Sequence, residues 1–391
     1  MQALLTHELR ANPQYELVPF NRLAEDERRA LASLAAEPGF YGVLRPRSGT
    51  GLGLKSVDCD TALLYLTLGQ PGTLPTYVQA TLGEGTARAV AQLIADSILE
   101  IERGGAFVSG AVAFDWPRDA GTEQGGGRLA ELSRAALRYA QNLAIDDPLQ
   151  LSFRLYGYNR RPLTPAWRRM LPAASAVQRY LGIAAAGANR ELLARNWVAG
   201  GPADGWMSWR SARPRPVSPR SGATYKLYIS PVTEQLGESF GLILAALTAV
   251  GTPAFKVGAD AGGLLRPDKI VAYFSSFEQL AKAAGGLAER LRGVAAQGVP
   301  FTSEIAGDGL LSWGIDPPAN ESRLPWNSKE SWRLWLTHCL ARALLDARAS
   351  VAAADGGEAA VEPWRFAVER LRLDGVDTDT WTPRGGLWRE I

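Results

Sequence analysis

Three short stretches decide how this chain folds: YKLYIS (225–230), AFKVG (254–258) and LLRPDKIVAYF (264–274). The first alternates polar and apolar residues, as a strand with one buried face does. Its period of two puts Lys226, Tyr228 and Ser230 on a common face. An amphipathic-to-buried helical pattern from Glu234 to Val250 separates it from the second strand, which carries Lys256 and closes at Gly258. A short ADAGG loop leads to the third run, with Arg266, Asp268 and Lys269 near its start. Another helix, the run VPFTSEIAGDGLLSWGIDPP (299–318) and the helical ESWRLWLTHCLARALLDA (330–347), bearing Arg333 and Arg342, complete the region. Helices fall between the strands without a regular βαβα rhythm. The expectation is therefore an α+β fold, with a small, mainly antiparallel sheet flanked by helices in a C-terminal unit at 224–350. The Lys256 strand is expected to lie alongside that of Lys226, with Lys269 a solvated surface charge.

Outward from that region, composition breaks at PRDAGTEQGGGR (117–128), AGGPADGWMSWRSARPRPVSPRSGA (199–223) and DGGE (355–358). They predict an N-terminal unit at 1–116, a helical middle at 127–198, a linker at 199–223, and a C-terminal helix and tail at 351–391. In the N-terminal unit the helical TARAVAQLIADS runs into ILEIE and AFVSG, two strand-like pieces joined at Arg103-Gly104-Gly105 as a hairpin. Helices followed by a hairpin fit a winged helix. The arrangement is similar to the peptide-recognition element of enzymes that modify ribosomally made peptides, where a leader peptide adds a strand to the hairpin edge. A DNA-binding domain or a purely structural subdomain fits the same pattern, although one Arg and one Asp on that helix suit phosphates poorly. In the middle segment RLAELSRAALRYAQNLA predicts a helix, and LQLSFRLYGYNRRPLTPAW reads as a β-like run ending in a turn. GWMSWR (205–210) reads as a packing anchor or peptide groove.

Composition narrows the chemistry. A chain of 391 residues with 46% hydrophobic and 21% charged residues can build a substantial core, and a net charge of +2 gives no global pull towards nucleic acid or anionic membrane. Cys59 and Cys339 are too few for a disulfide framework and fit a reducing cytoplasm. The opening MQALLTHELRANPQYEL lacks the apolar stretch of a signal peptide, and the longest apolar run, near Leu242 to Val250, is about half of a membrane span. His7 and His338 are the only histidines, which argues against a zinc site or a Ser-His-Asp triad. There is no dinucleotide fingerprint and no phosphate loop, so no cofactor is expected.

The basic residues carry more information. Of 42, 36 are Arg and six are Lys, and Lys226, Lys256 and Lys269 all lie in the strand-rich segment. Arg stays protonated at any working pH, whereas a Lys ammonium can be pushed towards neutrality and act as a base. Where Arg supplies the generic charge, a retained Lys is a candidate for chemistry that needs Lys.

The order K-x-Y-hydrophobic-S, then F-K-V, then R-P-D-K-hydrophobic-V-x-Y resembles the HopA-type effector family. The later P-F-T, G-x-x-x-x-G-x-D-P-P and E-S-W with a basic helix fit the same pattern, and the resemblance covers about 225–347. Members of that family also serve as lyase components in the biosynthesis of lanthipeptides and thioamide peptides. The family is similar in turn to the phosphothreonine lyases of bacterial pathogens. Two departures stand out. Tyr228 occupies the place of a His in the phosphothreonine lyases, and Arg333-Leu334-Trp335-Leu336 stands where the HopA-type pattern has Gly-x-His-Arg-Cys, with His338 and Cys339 displaced.

The resemblance implies β-elimination of phosphate from phosphoserine or phosphothreonine in a ribosomally made precursor peptide, with a separate partner kinase installing the phosphate. On that reading Lys256 is the candidate base and Tyr228 the candidate acid, while Lys226, Arg266 and, more distantly, Arg333 are phosphate ligands. Plainer readings stand beside these: Lys256 on a solvated face, Arg266 fixing a turn through Asp268, Tyr228 as a core aromatic, His338 as structural. The alternatives for the whole chain are a non-catalytic protein of the same fold that binds a peptide or the kinase, or a cyclase acting on the dehydrated peptide.

Overall fold

The computed structural model describes residues 2–50, 52–113, 127–201, 205–213, 222–317, 330–353 and 362–384. The Gly-rich break at 117–126, the Arg/Pro stretch at 214–221, the DGGE break and the last seven residues lie outside the described residues. The chain divides into two units, one of residues 1–117 with 343–374, the other of 118–342 with 375–391. The first holds two three-stranded antiparallel sheets built from β1 (Leu9–Ala11), β2 (Tyr15–Pro19), β3 (Phe40–Pro46), β4 (Lys55–Asp58), β5 (Leu99–Arg103) and β6 (Ala106–Val108). Their orders are β1-β5-β6 and β2-β3-β4. The expected hairpin is β5–β6, and Gly104 and Gly105 at its turn both have positive φ (60° and 86°), which a two-residue turn of this hand requires. Helix α1 (Thr86–Ala95) packs Val90, Leu93 and Ile94 into a core with Leu9, Leu99 and Ile101.

The second unit is α+β, as expected, and its sheet is larger than expected. Seven strands, β7 (Trp197–Ala199), β8 (Trp206–Ser211), β9 (Thr224–Ile229), β10 (Ala254–Gly258), β11 (Ile270–Phe274), β12 (Ser303–Ile305) and β13 (Leu311–Asp316), lie in the order β12-β13-β9-β11-β10-β8-β7. Every pairing is antiparallel. Period two then divides the side chains. Leu227, Ile229, Phe255, Val257, Ile270 and Ala272 face a core with Phe240 and Leu244 of one long helix and Leu280 and Leu287 of another. Burial of each such large side chain is worth about 1.5–3 kcal/mol, so this face fixes the register. The opposite face is left to Lys226, Tyr228, Lys256, Val271 and Tyr273.

Helices of this unit include α2 (Arg128–Ala140), α3 (Pro148–Tyr156), α4 (Pro165–Met170), α5 (Thr233–Ala249), α6 (Ala261–Leu264), α7 (Phe277–Arg290) and the start of α8 (Trp332–Ala353). Four sequence expectations are corrected. The Lys256 strand does not lie beside that of Lys226. The β9-α5-β10 crossover leaves a gap of one strand, which β11 fills antiparallel to both. Residues 206–211, inside the stretch read as linker, form β8 and pair with β10. The LQLSFRLY run is helical, because Asp147 accepts a hydrogen bond from the Gln150 amide (2.6 Å), Pro148 starts the first turn, and Leu151 and Leu155 are buried one turn apart. Lys269 is wholly buried rather than solvated. It shares the face of Val271, and its Nζ donates to the Pro231 carbonyl (2.8 Å) and to Gln297 Oε1 (2.5 Å).

Candidate functional site

Cross-strand register assembles the site. Lys256 on β10 stands opposite Val271 on β11, Val271 opposite Tyr228 on β9, and Lys226 opposite Tyr273. Two rows of the same face, two residues apart along the strands, thus carry both lysines and both tyrosines. The ring of Tyr273 lies between the lysines, with each Nζ 5.9 Å from its centroid. Trp206, at the start of β8, closes the other side, with Lys256 Nζ 4.1 Å and the Arg266 guanidinium 5.0 Å from its ring. Tyr156, at the end of α3, continues the chain of rings, 5.7 Å from Arg266 and 4.2 Å from Arg333. Lys226, Tyr228, Lys256 and Arg266 are therefore brought together, and aromatic faces, which attract cations, line the spaces between them.

Two carboxylates organise the charges. Asp268 is buried and accepts from Arg266 Nε (2.8 Å) and Nη2 (2.9 Å), from Arg333 Nη1 (3.2 Å) and from the Tyr156 hydroxyl (3.2 Å). Burial alone would raise its pKa, but the Arg266 hydrogen bonds and the charges of Arg333 and Arg266 outweigh that and hold it well below the usual carboxylate range. Arg266 does fix the turn through Asp268, and its Nη1 is left without a partner among the described residues. Asp316, at the end of β13, forms an ion pair with Lys226 and also accepts from the Trp332 amide (2.9 Å), so one carboxylate holds a site lysine and caps α8.

Arg333 does not sit where a phosphate ligand must. It is 2% exposed, and it donates to the Pro300 carbonyl (2.9 Å), the Tyr156 carbonyl (2.5 Å) and Asp268. Its role is to hold Asp268 and the end of α3 in place, because its guanidinium is buried behind the carboxylate.

Lys256 stands apart. It is half-buried, and among the described residues no hydrogen bond or ion pair engages its Nζ. Burial, followed by the repulsion of Lys226, lowers its pKa from the ordinary value to about 8. Tyr228 is buried, and its hydroxyl has no hydrogen-bond partner among the described residues. Burial and the charge of Asp316 push its pKa well up, so it remains a hydrogen-bond donor at any working pH. With Lys256 as free amine, three cations (Lys226, Arg266, Arg333) face two carboxylates (Asp268, Asp316), a surplus of one positive charge; with Lys256 protonated the surplus is two. The site can therefore offer an amine base, a hydroxyl donor and net attraction for an anion.

Sequence reasoning did not single out Trp206, Tyr156, Tyr273 or Asp316 for the site. The signal for Tyr273 was present, since it falls two residues after Val271 on the strand of Lys269. Asp316 belongs to the D-P-P motif, which was noted without a role.

No known family profile and no curated protein matches the chain. Among solved structures it is similar to an effector protein from Pseudomonas syringae pv. syringae strain 61, at 11% identity and a TM-score of 0.37, over 66% of this chain and 99% of that one. An effector protein from Pseudomonas syringae pv. tomato strain DC3000 gives 11% identity and a TM-score of 0.34, over 66% and 97%. The VirA (SpvC) phosphothreonine lyase effector of Chromobacterium violaceum gives 17% identity and a TM-score of 0.26, over 44% and 77%. These likenesses are distant, and the reading of the site rests on its residues.

Proposed function

We propose that the chain is a lyase that eliminates phosphate from phosphoserine or phosphothreonine in a ribosomally made precursor peptide, leaving a dehydroamino acid. The observation that carries this reading is Lys256, a half-buried amine with no acceptor among the described residues and a pKa lowered to about 8, set beside Lys226 and Arg266. As the free amine, Lys256 takes the Cα proton. The C–H electron pair becomes the second bond between Cα and Cβ while the Cβ–O bond breaks, and phosphate leaves with that bond's pair. Lys226, with ammonium donors to spare beyond Asp316, and Arg266, through Nη1, hold the phosphate. The Tyr228 hydroxyl donates to the departing oxygen. Arg333 acts at one remove, as a positioning residue for Asp268 and hence for Arg266. The step is redox-neutral, and a separate kinase supplies the phosphorylated substrate.

Incubation of the purified protein with phosphorylated peptides tests the reading. Mass spectrometry should show loss of phosphoric acid from the peptide with release of inorganic phosphate, and Lys256→Ala should abolish both while the peptide still binds. Peptide that binds and stays phosphorylated on the unaltered protein would instead favour the non-catalytic alternative.

A further inference from the structure

We infer that the arginine-rich flank leaving the site rim, between Arg154 and Arg179, docks an acidic segment of the substrate peptide. This inference rests on the peptide-lyase reading above. From Pro148 to Arg190 the sequence contains no Asp or Glu. Arg154, Arg160, Arg161, Arg168, Arg169 and Arg179 are all exposed, and none makes an ion pair among the described residues. Arginines elsewhere include ones matched with carboxylates, as in Arg10–Glu100, Arg45–Glu27 and Arg370–Asp96, and ones without an ion pair among the described residues, such as Arg28 and Arg290. What sets this flank apart is six exposed arginines in a stretch that has no acidic residue. Of the carboxylates near the flank, Asp260 caps α6 through the Gly263 amide (2.6 Å) and Glu191 pairs with Arg195, while the exposed Glu234 and Glu238, beside Tyr180, make no ion pair with these arginines. Uncompensated like charge in one stretch costs free energy in the free protein and is recovered when an anion binds.

The flank is tied to the site. Tyr156 reaches Asp268, Arg160 Nη2 donates to the Gly262 carbonyl (2.9 Å), and the Arg161 amide donates to the carbonyl of Leu265, the residue before Arg266 (2.9 Å). Further on, the ring of Trp167 packs edge-on against Tyr180, whose hydroxyl donates to the Thr233 carbonyl (2.5 Å) at the start of α5. The arginines therefore sit on a supported surface. Leu163 (40% exposed) and Met170 (55%) are interleaved with them. Aliphatic groups among Arg forks suit the mixed side chains of an acidic peptide, whereas a single-stranded nucleic acid needs a succession of exposed rings for its bases to stack on, and here one exposed ring, Phe153 (55%), stands beside Arg154. A peptide whose phosphorylated residue enters between Lys226 and Arg266 would lay its acidic flank along this track.

The test uses the whole chain and a fluorescent, acid-rich peptide whose serine is not phosphorylated, so that binding is read without catalysis. Anisotropy should show binding that weakens as salt rises from about 0.1 to about 1 M, which shortens the Debye length from about 10 to about 3 Å. A neutral peptide with amides in place of carboxylates should bind far more weakly. The double variants Arg160→Glu/Arg161→Glu and Arg168→Glu/Arg169→Glu, checked for folding by thermal melts, should each lose about tenfold in affinity. On the phosphorylated peptide they should raise KM and leave kcat unchanged. Equal binding of the neutral peptide, indifference to charge reversal, or tighter binding of a single-stranded RNA of the same charge would each overturn the inference. Charge-sensitive peptide binding without elimination would support the docking track and count against the lyase reading alone.

Discussion

If Lys256 is the base, the rate must follow its free amine. With a pKa of about 8, about one molecule in eleven carries the amine at pH 7, one in two at pH 8 and about ten in eleven at pH 9. The kcat/KM for a phosphorylated peptide should therefore rise about fivefold from pH 7 to 8 and less than twofold from 8 to 9. Lys256→Arg keeps the positive charge but cannot deprotonate, so it should cost about 10²- to 10⁴-fold in kcat and leave no inflexion near pH 8. The pKa can also be read without substrate, by the pH dependence of competitive amine labelling at Lys256. Trp206 offers an internal control. Trp206→Leu keeps water out but removes the ring that favours the ammonium, and should move the inflexion to lower pH. Trp206→Ala admits water, relieves the burial that lowers the pKa, and should move it to higher pH. A labelling pKa at the ordinary lysine value, or a rate that is flat between pH 7 and 9, would refute the reasoning whatever the activity of the protein.

Tyr228→Phe should lower kcat about 10²-fold with little change in KM, measured by phosphate release, because it removes one donor and leaves the cationic pocket intact. Arg333→Met should destabilise the second unit by about 3–5 kcal/mol in denaturant titrations, since it strips a partner from buried Asp268 and leaves the Pro300 and Tyr156 carbonyls without their donor. Lys269, with its pKa lowered to about 7 first by burial, gives a stability prediction. Below pH 7 both folded and unfolded chains hold the proton and the cost of burying the ammonium is fully present. From pH 7 up to the ordinary lysine value the unfolded chain binds more protons, so folding becomes more favourable as pH rises. Thermal melts should show that rise beginning near neutrality, and in Lys269→Met it should begin about a unit higher, where Lys256 takes over.

What could be read from the sequence divides along the range of the interactions. Period two put Lys226 and Tyr228 on one face and gave the strand of Lys256, because alternation is local and one face of the sheet is apolar. The position of β11 between β9 and β10 was not legible, since a crossover helix fixes direction but not how many strands it skips. Tyr156 was lost for a different reason. L-Q-L-S-F-R-L-Y alternates like a strand, and only the Asp147-Pro148 start and the burial of Leu151 and Leu155 decide for a helix. Trp206 was hidden in a stretch whose Pro, Ser and Arg content reads as linker, although a strand needs only its pairing with β10 to persist there. The same range argument governs the site. A lysine's identity is written in the sequence, but the pKa of Lys256 is set by burial and by Lys226, Asp268, Arg266 and Asp316, which come from other elements. The lysine read as solvated, Lys269, turns out to be the more deeply buried of the two with lowered pKa. Burial alone therefore does not mark the base. Lys269 is wholly buried, and its N–H groups donate to Pro231 and Gln297, which holds the β9 and β11 ends together and keeps the amine out of reach of a substrate. Lys256 lacks such partners among the described residues and is half-buried rather than enclosed, and an amine that must take a proton from a substrate has to be within the substrate's reach.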